Sequence, residues 1–212
     1  MDSVLAASAH SCGEIGALIA GVDEAGRGSL AGPVVAACVV LPVTDELSLP
    51  PFIRDSKTLS PAQREQACRW LYRHAPVVSV GLATVAEIER LNILQASLLA
   101  MRRAVENAVM RPQMVLIDGA HVPSALPCPA EAVVGGDSRV PVISAASIVA
   151  KVVRDHLMNH LHSLYPQYGF AQHKGYATPA HRRAIVEFGL CPQHRPSFCA
   201  NVLALPLGDE HG

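Results

Sequence analysis

Three apolar segments of this chain run into a carboxylate with glycine close by, and that repeated arrangement constrains the fold more than any other feature of the sequence. Residues 17–23 (ALIAGVD) lead into Asp23, Glu24, Ala25, Gly26, Arg27 and Gly28. Residues 114–118 (MVLID) end on Asp118 and are followed by Gly119, and residues 131–135 (EAVVG) lead into Gly136, Asp137 and Ser138. Short apolar runs of this kind suit buried strands, and glycine supplies the backbone freedom that ends a strand sharply. Neighbouring residues on a strand point to opposite faces, so Asp23 and Glu24 share a side only where the strand is ending. A solvated turn would also accommodate such an acidic pair. The recurrence of the pattern is what favours a common site.

The remaining segments give the strands their partners. Residues 33–41 form a second, longer apolar strand, and the short link from residue 23 predicts an antiparallel hairpin. Ser60, Pro61 and Gln63 form a helix start with a capping serine, proline at the first helical position and glutamine three residues on, so a helix is expected to His74. Residues 76–83 read as a third strand. Thr84 and Glu87 cap a short helix, Asn92 opens a long one extending towards Met110, and Pro112 forbids its continuation. A further long helix is expected from Ser144 or Ala145 to Leu164, then a loop to Gly175. A last amphipathic helix opens at Thr178 and closes at Gly189, and the proline-broken chain after Cys191 should be irregular. Three antiparallel strands followed by two helix-connected parallel ones make one mixed α/β sheet flanked by helices, with a helical C-terminal part. Ligands in such sheets gather at the carboxyl ends of strands where strand order reverses. If the first and fourth strands are parallel neighbours, Asp23 and Asp118 come side by side.

Composition agrees with one domain. Half of the 212 residues are hydrophobic and 17% are charged, enough for a sizeable core and too apolar for global disorder. Aromatics are only 4%, so that core is built from Val, Leu, Ile and Ala. The net charge of −1 gives no sign of a nucleic-acid partner, yet residues 138–186 carry Arg139, Lys151, Arg154, Lys174, Arg182 and Arg183 against the single acid Asp155, so one basic face is conceivable. Six cysteines without a C-x-x-C pair, Cys38 and Cys68 within apolar patterns, point to a reducing compartment. The longest apolar run is far too short for a bilayer, and the start of the chain carries Asp2 in place of a basic signal. A cytoplasmic protein without membrane contact is expected.

Asp23, Glu24, Asp118 and Asp137 each follow an apolar strand. Packed together they repel one another, and a divalent cation is the natural remedy. All-oxygen donors without His or Cys spacing suit Mg²⁺ or Mn²⁺ rather than Zn²⁺, and two such ions can clamp a phosphodiester.

The chain resembles ribonuclease HII, the type 2 ribonuclease H of bacteria. The resemblance is carried by residues 21–28 (GVDEAGRG), 55–59 (DSKTL), 91–94 (LNIL), 116–119 (LIDG), 136–138 (GDS), 144–155 (SAASIVAKVVRD) and 173–178 (HKGYAT), which together span about residues 17–198. It implies the ribonuclease H-like fold and an endonuclease that cuts the RNA of RNA–DNA hybrids, and cuts duplex DNA on the 5′ side of single embedded ribonucleotides. Products would carry 5′-phosphate and 3′-hydroxyl ends. It implies that Asp23, Glu24, Asp118 and Asp137 are the catalytic, metal-holding acids, and that Gly26, Arg27, Gly28 and Tyr176 meet the substrate. Glycines let backbone approach the 2′-hydroxyl that marks a ribonucleotide, and Arg27 can hold a phosphate bidentately. Tyr176 could lay its ring on the sugar, or be a half-buried ring with a bonded hydroxyl. Lys57 and Lys151 could touch phosphates, Lys57 alternatively forming a surface salt bridge. Ser144 and Ser147 read as capping or packing groups rather than catalytic ones, and His173 and His181 as polar groups of loop or helix.

Ala177 departs from the family's usual glycine. Residues 1–16 read as a loose extension, residues 17–198 as the catalytic domain and 199–212 as an irregular tail, which shows no sliding-clamp motif. A monomer is expected on the resemblance alone. A non-catalytic hybrid-binding module on the same fold is the alternative reading. A nucleotide-cradling phosphate enzyme is disfavoured because no P-loop lysine pattern is present.

Overall fold

The computed structural model describes residues 18–41 and 50–204. The expected N-terminal extension, Cys12 and the last residues of the tail lie outside that range.

Five strands, β1 (Ile19–Ala25), β2 (Val34–Val40), β3 (Val77–Ala83), β4 (Met114–Asp118) and β5 (Ala130–Val133), form one sheet in the order β3-β2-β1-β4-β5. The β1–β2 and β2–β3 pairs are antiparallel, and β1–β4 and β4–β5 are parallel. The mixed sheet and the parallel contact between β1 and β4 are as expected. The last β1–β4 pair is Val22 with Ile117, so Asp23 and Asp118 stand together just past the end of that ladder.

Strand alternation divides the core between the two faces. On β2 every residue is buried. Val34, Ala36, Cys38 and Val40 join Ala20 and Val22 of β1 beneath α3 (Ile93–Glu106), and Ala37 and Val39 pack on the other face beneath α1 (Pro61–His74) and α4 (Pro141–Leu164). The core is chiefly aliphatic and small. α4 lies directly on β1 because Gly21 has no side chain: a Cβ there would stand 2.2 Å from the carbonyl carbon and oxygen of Val142.

The helix starts form as their sequences dictate. Ser60 Oγ accepts from Gln63 N and Gln63 Oε1 accepts from Ser60 N, and Thr84 with Glu87 does the same before α2 (Val85–Leu91). Glu87 also takes both terminal nitrogens of Arg103 at 2.9 and 2.7 Å, which lowers its carboxyl to about 2. Asn92 caps α3 through its Oδ1.

Four expectations are corrected. α4 begins at Pro141, not Ser144, because proline occupies its first turn while Ser144 Oγ donates to the Asp137 carbonyl at 2.6 Å. α3 ends at Glu106, well before Pro112, where Asn107 turns its side-chain amide onto the Val80 carbonyl. Residues 165–175 are not all loop: a 3₁₀ turn (Pro166–Tyr168) and a one-turn helix α5 (Phe170–His173) order them. After α6 (Pro179–Phe188), the chain past Cys191 is not irregular, since Pro196 opens α7 (Pro196–Ala204), which covers residues 199–204 of the expected tail. Buried Cys199 and Val202 hold α7 against Leu30 and Ile185. Among the described residues no helix is long and apolar enough to cross a membrane.

Gly21→Ala should cost about 1–3 kcal/mol or more, because the obstruction is helix backbone that cannot rotate away. Urea denaturation at fixed pH checks this, and an unchanged midpoint would show that α4 can lift from β1 at little cost.

Candidate active site

One cleft of about 380 Å³ opens over the carboxyl ends of β1 and β4. Asp23, Glu24, Asp118 and Asp137 all line it, together with Gly26, Arg27, Gly28, Lys57, Lys151 and Tyr176. The four acids and the six expected substrate contacts therefore meet at one place. β1 does not end at Asp23 as expected but continues to Ala25 against β2. Asp23 and Glu24 nevertheless both line the cleft, beside the point where the β1–β4 ladder has ended after Val22 and Ile117.

The acids are under strong electrostatic tension. Burial, then the Glu24 and Asp118 charges, push the Asp23 carboxyl well above its usual range, partly offset by a hydrogen bond from Ser147. Burial also raises Glu24, opposed by Arg27, whose Nη1 donates to Glu24 Oε1 at 3.1 Å. The other oxygen, Oε2, is buried with no hydrogen-bond partner. Asp137 accepts from Lys57 Nζ at 2.7 Å, and its own N–H donates to Asp118 Oδ1 at 3.2 Å. The hydrogen bond to Asp137 in turn raises Lys57. Lys57 thus makes a salt bridge, and its largely exposed side chain (76%) also leaves it open to solvent at the mouth of the cleft.

Among the described residues no three His, Cys, Asp or Glu side chains already converge as ligands of one ion. The donor set nevertheless fits a hard divalent cation: the acids offer carboxylate oxygens only, and one of these, Glu24 Oε2, is buried and unpartnered.

The wall opposite the acids is held from behind. At Gly26, which lines the cleft, the backbone has φ +97° and a Cβ would lie 1.9 Å from Arg154 Nε, so the packing of Arg154 requires glycine there. At Gly28 a Cβ would meet nothing within 4 Å, so the open approach is there. Arg154 is fully buried and donates to the carbonyls of Pro33, Ala31 and Lys174, which removes it from any basic face. Arg195, equally buried, donates to the carbonyls of Gly26, Arg27 and Gly32 at 2.8–3.0 Å. Burial lowers both guanidiniums. Tyr176 is 38% exposed, and its ring has Lys151 Nζ 5.5 Å and the Arg154 guanidinium 5.7 Å from its centroid. Lys151 also pairs with Asp155 at 2.9 Å.

Ser147 does more than pack: it lines the cleft beside Asp23, with its hydroxyl 2.9 Å from that of Ser56. Ser56 and Arg64 line the cleft without having been singled out, and Arg195 and His194 were likewise missed. Arg64 sits in the first turn of α1 and bends back to the Ser56 and Leu59 carbonyls, a contact that its sequence neighbours do not announce. His181, read as a polar helix group, is completely buried.

A mixed five-stranded sheet with clustered acids at the ends of two parallel strands defines the ribonuclease H-like fold, the class seen also in solved structures similar to this chain. The ribonuclease H2 of Pyrococcus horikoshii matches with a TM-score of 0.72 at 27% identity, covering 87% of this chain and 96% of that one. The ribonuclease HII of Archaeoglobus fulgidus, solved in complex with PCNA, also gives 0.72, at 23% identity over 90% and 98%. In sequence, the family model for ribonuclease HII matches residues 20–201. A ribonuclease HII from a Polaromonas species is 56% identical over 85% of this chain and 89% of its own length, and that of Paracidovorax citrulli is 55% identical over 85% and 74%. The chain belongs to the ribonuclease HII family, and is accordingly an endonucleolytic hydrolase of the ribonuclease H class.

Asp23→Asn should stabilise the metal-free fold while harming function. The folded-state pKa lies above the ordinary value, so the folded chain retains a proton that the unfolded chain has lost, and stability falls as pH rises from the ordinary carboxylate range through the raised one. At pH 7 in chelator the variant should gain about 0.5–2 kcal/mol. A thermal melt that drops would show that the carboxylate is a net stabiliser.

Proposed function

We propose that the protein cuts the RNA strand of RNA–DNA hybrids and cuts duplex DNA 5′ of a single embedded ribonucleotide, leaving 5′-phosphate and 3′-hydroxyl ends. The observation that carries this reading is the convergence in one cleft of four carboxylates with Gly28, Arg27 and Tyr176. The acids offer a cation site for the scissile phosphate, and the opposite wall offers backbone, a guanidinium and an aromatic ring for the neighbouring sugar.

In this reading Asp23, Glu24, Asp118 and Asp137 hold two divalent ions, Mg²⁺ or Mn²⁺. When bound, these would supply an activated water and charge neutralisation at the leaving oxygen. The protein's own residues do the rest. Arg27, half exposed, can turn from Glu24 to a phosphate when a bound cation would offset the buried Glu24 charge. Lys57, more exposed still, can do the same from Asp137, and Lys151 stands beside Tyr176. The accessible backbone at Gly28 can approach the 2′-hydroxyl, the group that distinguishes a ribonucleotide. Tyr176 lays its exposed ring on the sugar at the junction and is backed by Lys151 and Arg154. Because phosphate contacts do not need the acids, binding and cleavage are separable.

The test uses a labelled DNA duplex carrying one ribonucleotide, with Mg²⁺, with Mn²⁺ or with chelator. A metal-dependent cut immediately 5′ of the ribonucleotide is expected. Asp23→Asn should abolish cleavage and leave duplex affinity close to that of the wild type. Cleavage only of runs of ribonucleotides would remove the role given to Gly28, Arg27 and Tyr176, and tight binding without cleavage in either metal would favour the non-catalytic alternative. Duplex affinity should also fall steeply between roughly 50 and 200 mM salt if phosphates dominate, and a flat response would contradict those contacts.

A further inference from the structure

Behind Tyr176 lie three histidines that the reaction does not use. His181 on α6 is 0% exposed, and His194, just before α7, is 2% exposed. The ring of His173 stacks on that of His181 with centroids 4.3 Å apart. The edges of Phe170 and Tyr168 close the cluster against His181 and His194.

The hydrogen bonds assign each ring's proton. The Cys191 N–H can only donate, and it points at His194 Nδ1 at 3.0 Å, so His194 carries its proton on Nε2. That proton is directed at His181 Nε2, 3.1 Å away, which must accept it. His181 therefore carries its own proton on Nδ1 and donates it to the Tyr176 carbonyl at 2.9 Å. On the flank, His173 Nδ1 accepts from Gly175 N and its Nε2 donates to the Tyr168 carbonyl. All six ring nitrogens are engaged, and the relay runs in one direction from Cys191 to Tyr176 with both central rings neutral. A second proton on either would set two N–H groups facing each other.

The relay ends on the main chain of the residue whose ring faces the cleft. His194 is adjacent to Arg195, which grips the Gly26 and Arg27 carbonyls, and the backbone of this segment is laced to residues 30–32. One turn of chain thus reaches both parts of the wall opposite the acids.

We propose that His194 and His181 are positioning residues for Tyr176, setting the height of its ring against the junction sugar through a neutral imidazole relay. This deepens the reading above and rests on its assignment of Tyr176 to the sugar. Loss of the relay should lower kcat for the single-ribonucleotide duplex while KM, governed by phosphate contacts, stays near wild type. A displacement near 1 Å at a reacting geometry costs up to roughly 100-fold. Glutamine can replace either imidazole, since its amide oxygen accepts and its amide nitrogen donates, whereas phenylalanine fills the space and does neither.

The experiment compares wild type, His194→Phe, His194→Gln, Tyr176→Ala and the double variant His194→Phe with Tyr176→Ala. We expect roughly a 10- to 100-fold lower kcat for His194→Phe, most of it restored by His194→Gln, and no further loss when His194→Phe is added to Tyr176→Ala. The same fold loss in the Tyr176→Ala background would overturn the proposal, since the histidine would then act on the site generally. Wild-type kcat in His194→Phe would also overturn it. Should that variant not fold, ¹⁵N correlation spectra of the wild-type imidazoles at neutral pH decide the question. His194 protonated on Nε2 and His181 on Nδ1 supports the relay, and any other protonation pattern overturns it. Failure of the wild type to cut any ribonucleotide-containing duplex would instead refute the proposed function.

Discussion

The close seating of α4 on β1 is the contact on which the site depends. Gly21 allows the helix backbone to rest on the strand, and the helix then runs past the mouth of the sheet. Ser144, Ser147, Lys151, Arg154 and Met158 fall at alternating spacings of three and four, the positions that share one helical face. In order they meet the Asp137 carbonyl, the Ser56 hydroxyl, Asp155 beside the Tyr176 ring, the carbonyls behind Gly26 and the space beside Gly32 and Gly175. A single rigid helix therefore sets the acids and the opposing wall relative to each other. A site built on such an element is held more accurately than one built on loops alone.

The cleft itself is arranged against stability. Buried carboxyls repel one another, one oxygen lacks a partner, and the two cations that offset them sit at the exposed rim. Concentrated charge of one sign in a partly desolvated cleft is costly in the free protein, and it gives that cleft its capacity to bind a hard cation. The compensation comes from elsewhere, chiefly the double-sided aliphatic core around β2 and the capped helices.

On the other side of the cleft the charges are reversed. Arg154 and Arg195 are buried without a carboxylate partner and are satisfied by main-chain carbonyls of residues 26–33 and 174. A charged donor bound to several carbonyls is a strong restraint on a loop. The C-terminal segment supplies one of these arginines together with the histidines behind Tyr176, so residues distant in sequence from the acids hold the wall that faces them.

The sequence by itself determined the strands, the capped helix starts and the four acids. Apolar runs, Ser60, Thr84 and Asn92 caps, and carboxylates at strand ends act over a few residues, so their meaning is local. It also placed Arg27, Lys57 and Tyr176 at the site through the resemblance of their motifs. The start of α4, the helix at Pro196–Ala204, and the roles of Arg64, Arg154, Arg195, His181 and His194 were decided only by tertiary structure. The physical reason is the same in each case: the partner is a main-chain carbonyl or ring brought close by folding. A proline reads as a breaker until packing gives its helix a face to bury, and a buried arginine bound to carbonyls looks in sequence like any surface charge.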